Sequence, residues 1–172
     1  KVDAGTKEIV TDFETFKPAV LNYIPQQTAG KIAMDAGLAD EKGWCPVDKQ
    51  TFESKKVAGV HVIGDAAIAT AMPKSGYSAN SQGKVTAAAI AAILAGKEPV
   101  TPSYVNTCYS IAGKDYGFSV AAVYRYNAEK DVIGGVEGAG GLTPGDASPE
   151  QFKREVGYAH SWYNNIRKDS WG

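Results

Sequence analysis

The most informative stretch of this sequence is Gly59-Val60-His61-Val62-Ile63-Gly64-Asp65. Its apolar residues predict a buried strand over residues 57–63 that ends at Gly64 and Asp65. Such a strand would present the Asp65 carboxylate at the carboxyl edge of a parallel sheet, which is where α/β proteins bind ligands. A strand followed by an ordinary Asx-turn has the same two residues, so the Gly-Asp pair taken alone favours the turn.

The residues after Asp65 add context to this pair. They are Met72-Pro73-Lys74-Ser75-Gly76-Tyr77, then Asn80, and then an alanine-rich helix predicted over residues 78–95, which Gly96 is placed to close. This order resembles the second FAD signature of glutathione-reductase-like flavoenzymes, an apolar strand ending in Gly-Asp and followed by a helix whose amino end faces the flavin. The resemblance implies that Asp65 holds the ribityl chain and that the helix stabilises negative charge on the reduced flavin.

Composition and charge exclude several classes of protein. The 18 basic and 19 acidic residues are mixed along the chain and give a formal net charge of −1, so no surface for nucleic acid or an anionic membrane is predicted. The longest apolar stretch, residues 85–94, is half as long as the roughly 20 residues that cross a bilayer and is interpreted as a buried helix. Cys45 and Cys108 lack metal-ligand spacing, so no metal site is predicted, and either two buried thiols or one disulfide is compatible with them.

Three segments differ in composition, and they give the predicted domain boundaries. Residues 1–27 resemble the exit of a domain, because they contain strand-like residues but too few apolar ones for a core. Residues 28–99 follow a three-layer α/β pattern that begins with a short helix over 32–38. Residues 100–172 are rich in glycine and aromatic residues.

The last segment predicts a small α+β arrangement. Alternation over residues 111–126 predicts a half-buried strand, which can pair antiparallel with Val132-Ile133 or with residues 104–109. The glycine-rich residues 134–144 predict a flexible loop and not a phosphate-binding GxGxxG turn, because no βαβ unit surrounds them. A helix capped by Ser148 is predicted to run to Arg167.

Further motifs make the resemblance more specific. They are Tyr23-Ile24-Pro25-Gln26-Gln27, residues 73–80, and Asn106-Thr107-Cys108-Tyr109-Ser110 with its glycine- and tyrosine-rich tail. With them, essentially all 172 residues resemble the flavoprotein subunits of flavocytochrome c sulfide dehydrogenase. The three segments are then the end of the second nucleotide-binding-like domain, the second half of the FAD-binding domain, and a small carboxyl-terminal flavin and interface domain. The implied fold class is α/β plus α+β, with part of a glutathione-reductase-like FAD/NAD(P)-binding fold.

The resemblance also implies an activity. In that family a redox-active cystine lies beside the flavin, and Cys108 matches one of its halves, although a buried inert cysteine stays an alternative. Its partner, the pyrophosphate-binding loop and the cysteine that attaches FAD are expected outside this chain. The implied enzyme is a periplasmic, FAD-dependent sulfide dehydrogenase that passes electrons to a c-type cytochrome subunit. The residues implied to contact the cofactor are Gly64, Asp65, Lys74, Ser75, Gly76, Tyr77, Asn80 and Trp162.

Two other functions stay open. A sulfide:quinone or NADH:quinone oxidoreductase of the same architecture would need an amphipathic or strongly apolar carboxyl-terminal surface. Residues 155–172 are instead rich in Lys, Arg, Asn and Asp. An isolated α+β binding module without flavin would be favoured if the recombinant 172-residue protein folded colourless and bound nothing.

Overall fold

Two separate three-stranded antiparallel sheets and three helices make up the computed structural model, which describes Lys1–Gly172. The architecture is therefore mixed α/β. In chain order the elements are β1 (Val2–Asp3), β2 (Glu8–Val10), β3 (Thr15–Phe16), α1 (Lys31–Asp35), a 3₁₀ turn (Gly64–Ala66), α2 (Gly76–Leu94), β4 (Ser103–Gly113), β5 (Tyr116–Asn127), β6 (Val132–Leu142) and α3 (Pro149–Trp171).

Strand β5 is the centre of the larger sheet and pairs with both β4 and β6. The two predicted pairings of this region are therefore confirmed. The single strand predicted over residues 111–126 is wrong, because the chain reverses at Lys114-Asp115 and divides it between β4 and β5. A two-residue hairpin turn of this kind interrupts the apolar alternation so little that the pattern continues across it.

The glycine-rich loop predicted over residues 134–144 is also wrong, because most of it forms the edge strand β6. Gly140 shows why small residues are needed there, since an added Cβ would lie 2.6 Å from the backbone oxygen of Ala121 on β5. The register shifts between Ala122 and Tyr124, and Gly138 has a φ of +73°, as expected for an irregular edge strand. Five of the eleven residues of β6 are glycine, so its sequence has no regular apolar alternation by which to recognise a strand.

The main core lies between one face of the larger sheet and the segment that precedes α2. Phe52 packs edge-on against Tyr104 on β4, with ring centroids 5.8 Å apart. The Tyr104 hydroxyl donates to the backbone oxygen of Lys49 over 2.7 Å. This face of the sheet therefore fixes the position of the preceding segment. The buried apolar residues of the core are Val47, Phe52, Ala67, Ala69, Met72, Tyr104, Tyr124 and Ile133.

The strand predicted over residues 57–63 does not form. His61 makes one isolated antiparallel bridge with Glu53, and the Val62 N–H donates to the Phe52 oxygen over 2.9 Å. No neighbouring strand continues this pairing, so Val60 and Ile63 stay exposed. His61 is half-buried, with Nδ1 2.9 Å from the Thr51 oxygen.

Helices α2 and α3 begin at side-chain caps. The Ser75 hydroxyl accepts from the Ser78 N–H at the start of α2, and Ser148 caps α3 in the same way. Helix α2 ends next to Gly96, as predicted. The prediction that residues 85–94 are buried is wrong, since α2 buries one face and leaves Leu94 82% exposed. None of the helices is long and apolar enough to cross a membrane.

Candidate functional site

The 3₁₀ turn Gly64–Ala66 lies against the first turns of α2. The Gly64 N–H donates to the Gln82 Oε1 atom over 2.7 Å. Gly64 has a φ of +73°, and an added Cβ would lie 3.2 Å from the Cβ of Ala79, so a larger residue would be strained. The Asp65 backbone oxygen accepts from the Lys74 ammonium group, while the Asp65 carboxylate is exposed. The turn and the helix start therefore form one surface.

The amino end of α2 has unused hydrogen-bond donors. The N–H groups of Gly76 and Tyr77 have no acceptor within the chain, whereas that of Ser78 is bonded to Ser75. No acidic residue lies in the first turn. The free N–H groups and the positive end of the helix dipole therefore suit a ligand that carries acceptor oxygens or negative charge.

Lys74 forms part of the wall of a cleft beside the turn. Its ammonium nitrogen lies 3.8 Å from the centroid of the Trp44 ring and 3.3 Å from the Ala67 oxygen. Burial lowers the pKa of Lys74, and the nearby Asp65 opposes this shift. The cleft has a volume of about 350 Å³ and is lined by Trp44, Gly64, Met72 and Lys74, among other residues. Its size is at the lower end of the range for small-molecule sites.

Cys108 is a free, half-buried thiol in the middle of β4. The Nδ2 atom of Asn106 donates to its Sγ atom over 3.2 Å. The Oδ1 atom of Asn106 accepts from the Ser75 hydroxyl over 2.6 Å and from the Ser78 hydroxyl over 3.1 Å. One buried side chain therefore connects the thiol to the start of α2.

An exposed apolar patch lies next to Cys108 on the same face of the sheet. In the sheet register Cys108 is opposite Val120, and Val120 is opposite Leu142, so the three share one face. Val120, Leu142 and the neighbouring Phe118 are all exposed. The thiol lies between a polar network and an apolar surface.

Trp162 lies on the opposite face of the sheet. Its ring stacks on that of Tyr77 with centroids 5.4 Å apart, and it contacts Tyr109 with centroids 6.3 Å apart. Burial raises the pKa of Tyr109. Successive residues of a strand point to opposite faces, so Tyr109 and Trp162 are separated from Cys108 by the sheet. The structure does not bring Trp162 and Cys108 together.

Asn80 lies with Trp162 and the Tyr77 ring, away from Cys108. Its Nδ2 atom donates to the Asp169 carboxylate on α3 over 3.1 Å, and Lys84 binds the same carboxylate at 2.8 Å. Asn80 and Trp162 line a second cleft, of about 330 Å³, between α2 and α3. In this structure both residues fasten α3 to α2.

Cys45 is a fully buried free thiol in the smaller core cluster. Its N–H donates to the Ala66 oxygen over 2.9 Å. Burial raises the pKa of Cys45, which keeps it protonated and unreactive. The disulfide between Cys45 and Cys108, one of the two arrangements that the sequence left open, is not formed.

Sequence reasoning missed Asn106, Ser78 and Gln82 as parts of this site. A signal for Asn106 was available, because a residue two positions before Cys108 on a strand shares its face. No local pattern identifies Ser78 or Gln82, since their partners lie 28 and 18 residues away along the chain.

Comparison with known protein families identifies the last part of the chain. Residues 100–171 match the family model described as "Flavocytochrome c sulphide dehydrogenase, flavin-binding". The matched residues include β4, β5, β6 and α3, and with them Cys108 and Trp162. The family binds a flavin, in agreement with the predicted FAD cofactor.

The groups at the start of α2 fit such a cofactor by their chemistry. The free N–H groups of Gly76 and Tyr77 are donors, which suit the carbonyl oxygens of a flavin ring. The exposed Asp65 carboxylate is an acceptor, which suits ribityl hydroxyls. Residues 100–171 are therefore similar to the flavin-binding domain of flavocytochrome c sulphide dehydrogenase, a flavoprotein oxidoreductase.

Proposed function

We propose that this chain is part of a periplasmic flavoprotein that oxidises sulfide to sulfur and passes the electrons to a c-type cytochrome subunit. The observation that carries the proposal is the half-buried Cys108 thiol, which lies in the matched domain, beside an exposed apolar patch, and is joined to the start of α2. The family name supports both the substrate and the cytochrome partner.

The proposed architecture is a glutathione-reductase-like FAD-binding fold. Residues 1–27 would end its second nucleotide-binding-like domain, residues 28–99 would complete the FAD-binding domain, and residues 100–172 would form the interface domain. The turn at Gly64 and the start of α2 support this assignment, because they lie together and offer the donors and acceptors that a flavin needs.

Each part of the cofactor site has a separate task in this proposal. The Asp65 carboxylate accepts hydrogen bonds from ribityl hydroxyls, which orients the cofactor. The Gly76 and Tyr77 N–H groups stabilise negative charge on the ring by roughly 0.3 to 1 kcal/mol. Bound FAD would accept the two electrons that leave the substrate and release them singly to a haem.

Cys108 acts in the proposal as one half of a cystine. The sulfur of hydrosulfide bonds to one cystine sulfur, the S–S bond breaks, and its electron pair leaves on the other sulfur as a thiolate. The proton of hydrosulfide goes to solvent. Because Cys45 is fully buried, we assign the partner cysteine to another segment of the flavoprotein.

The test is Cys108→Ser in the full-length, flavin-loaded protein. We expect sulfide to reduce the flavin in the wild type but not in this variant, as followed by the loss of flavin absorbance under anaerobic conditions. Dithionite should reduce the flavin of both proteins, which shows that the cofactor is intact. Ser110→Ala changes an exposed residue two positions further along the same strand and should reduce normally. Normal reduction of the Cys108→Ser flavin by sulfide would refute the cystine mechanism.

The electron acceptor needs a second measurement. Sulfide-reduced protein is mixed with a c-type cytochrome or with a water-soluble quinone, and the rate of flavin reoxidation is measured. Faster reoxidation by the cytochrome supports the proposal. Faster reoxidation by the quinone would assign the chain to the quinone-dependent enzymes.

A further inference from the structure

We propose that Asn106 is a positioning residue, which holds the Cys108 sulfur in place by donating a directed hydrogen bond. The inference rests on the proposed function in treating Cys108 as a reactive group. It goes beyond that function in naming Asn106 as the residue that positions the sulfur, and Ser75 and Ser78 as the residues that orient Asn106.

The position of Asn106 on β4 directs it toward the thiol. It lies two residues before Cys108, so both side chains are on the same face of the sheet. Asn106 is only 3% exposed, and its Nδ2 atom is 3.2 Å from Sγ. If the Asn106 amide rotated, its NH₂ group would lose this hydrogen bond to the Cys108 sulfur.

Two serines fix the orientation of the Asn106 amide. The Ser75 oxygen accepts from the Ser78 N–H over 3.1 Å, which leaves the Ser75 hydroxyl proton free to donate to Asn106 Oδ1 over 2.6 Å. The Ser78 hydroxyl is the second donor to Oδ1, over 3.1 Å. With Oδ1 held by two donors, the amide NH₂ group faces the sulfur.

This arrangement places a hydrogen-bond donor against the sulfur. Negative charge develops on a sulfur when its bond to another sulfur breaks, and a hydrogen bond to a charged acceptor is stronger than one to a neutral acceptor. The titratable group on β5 that lies close to Cys108 is Tyr124, whose pKa is raised by burial and also by Cys108, so it stays neutral. The amide is thus the donor that the structure offers to the sulfur.

The same contacts link the sulfur to the cofactor end of α2. Ser75 is the N-cap of α2, and Ser78 lies in its first turn. A shift of the helix start would change both donors to Asn106 Oδ1 and would therefore turn the amide that holds the sulfur. The position of the thiol and the position of the helix are coupled through one side chain.

The test measures the alkylation of Cys108 in the full-length protein. The protein is reduced with dithiothreitol without oxygen and reacted with iodoacetamide at fixed pH, and modification of the peptide containing Cys108 is followed by mass spectrometry. Asn106→Asp keeps an acceptor for both serines, replaces the donor with an oxygen and adds a negative charge beside the sulfur. We expect this variant to react about 10-fold more slowly, because it loses the donor that holds the sulfur and repels negative charge there, so it is compared with Ser78→Ala, which adds no charge.

A second variant decides the question if Asn106→Asp does not fold. Ser78→Ala removes one of the two donors to Oδ1 and should slow alkylation by a smaller factor, about 2- to 5-fold. The matched control is Thr86→Val, which removes a buried hydroxyl of the same helix that has no hydrogen-bond partner. This control should react at the wild-type rate.

The outcomes separate this inference from the proposed function. Unchanged alkylation in Ser78→Ala and in folded Asn106→Asp would overturn the positioning role, whatever the sulfide assay shows. Slower alkylation in Ser78→Ala, which adds no charge, with the control unchanged, supports it even if the flavin of Cys108→Ser is still reduced by sulfide. In that case the cystine mechanism is wrong and the positioning role is retained.

Discussion

Helix α3 packs closely against the larger sheet at Gly117. An added Cβ at this position would lie 2.8 Å from the backbone nitrogen of Val156, 2.9 Å from its Cγ2 atom and 3.2 Å from the carbonyl carbon of Glu155. Two of these three atoms belong to the helix backbone, which cannot turn aside as a flexible side chain can. Gly117→Ala should therefore push α3 away from β5.

The size of the effect follows from this geometry. An ordinary contact needs about 3.4 Å, so the helix has to move by roughly half an ångström at Val156. Overpacking of this kind typically costs about 1 to 3 kcal/mol. Replacing a strand glycine with alanine returns about 0.5 to 1 kcal/mol, because the unfolded chain loses freedom. We expect a net loss of up to about 2.5 kcal/mol, with a central value of about 1 kcal/mol, or a decrease of up to roughly 10 °C in the unfolding midpoint.

The matched control is Gly135→Ala on β6. Nothing lies within 4 Å of an added Cβ there, and Gly135 does not have a positive φ. This variant should be as stable as the wild type or slightly more stable. The assay is thermal unfolding of the full-length proteins, with hydrogen exchange measured over residues 149–171, where Gly117→Ala should speed exchange locally. A Gly117→Ala protein as stable as Gly135→Ala would contradict the packing of α3 on β5.

Two further substitutions test how the sheet is fastened to the preceding segment. Tyr104→Phe removes the donor to the buried Lys49 oxygen and should cost about 1 to 2 kcal/mol in chemical unfolding, and an unchanged midpoint would be evidence against this hydrogen bond. Asp131→Asn removes the charge that binds Lys55 at 2.7 Å and Lys49 at 3.2 Å. Asn tolerates the φ of +47° at this position, and the Asp131 side chain is 44% exposed, so screening limits the loss to about 1 kcal/mol. The hydrogen bond from Lys55, followed by that from Lys49, lowers the pKa of Asp131, so its contribution is present above the unfolded pKa of about 3.9 and is lost as the pH falls through the folded pKa. The unfolding midpoints of the wild type and of Asp131→Asn, measured between pH 7 and pH 3, should therefore converge below about pH 4. A constant difference between them would show that the charge is not responsible.

Local signals predicted the helices well. Gly96 predicted the end of α2 and the Ser148 cap predicted the start of α3, so both helices could be recognised from the chain alone. Helix α2 begins at Gly76 and not at residue 78, because the cap is Ser75. Helix caps can be recognised from a short stretch of sequence, because their hydrogen bonds join residues three positions apart.

The strands were predicted less well, for two physical reasons. Alternation identified the apolar part of β4 and β5 but could not locate the turn at Lys114-Asp115, because the period continues across it. Strand β6 has mostly glycine between Gly134 and Gly141, and backbone pairing with β5 is the main contact of these glycines. Backbone hydrogen bonds form with almost any residue type, so the sequence does not show where they form.

By itself, the sequence determined the capped helices, the presence of antiparallel strands in the last segment, and the motifs around Cys108 that indicated a flavoprotein. Only the tertiary structure decided that Asn106 joins Cys108 to the start of α2 and that Trp162 lies on the opposite face of the sheet. The first group depends on contacts between residues close together in the chain. The second depends on side chains that are separated by about 30 residues or more, such as Asn106 and Ser75, whose contact is set by the packing of the whole domain.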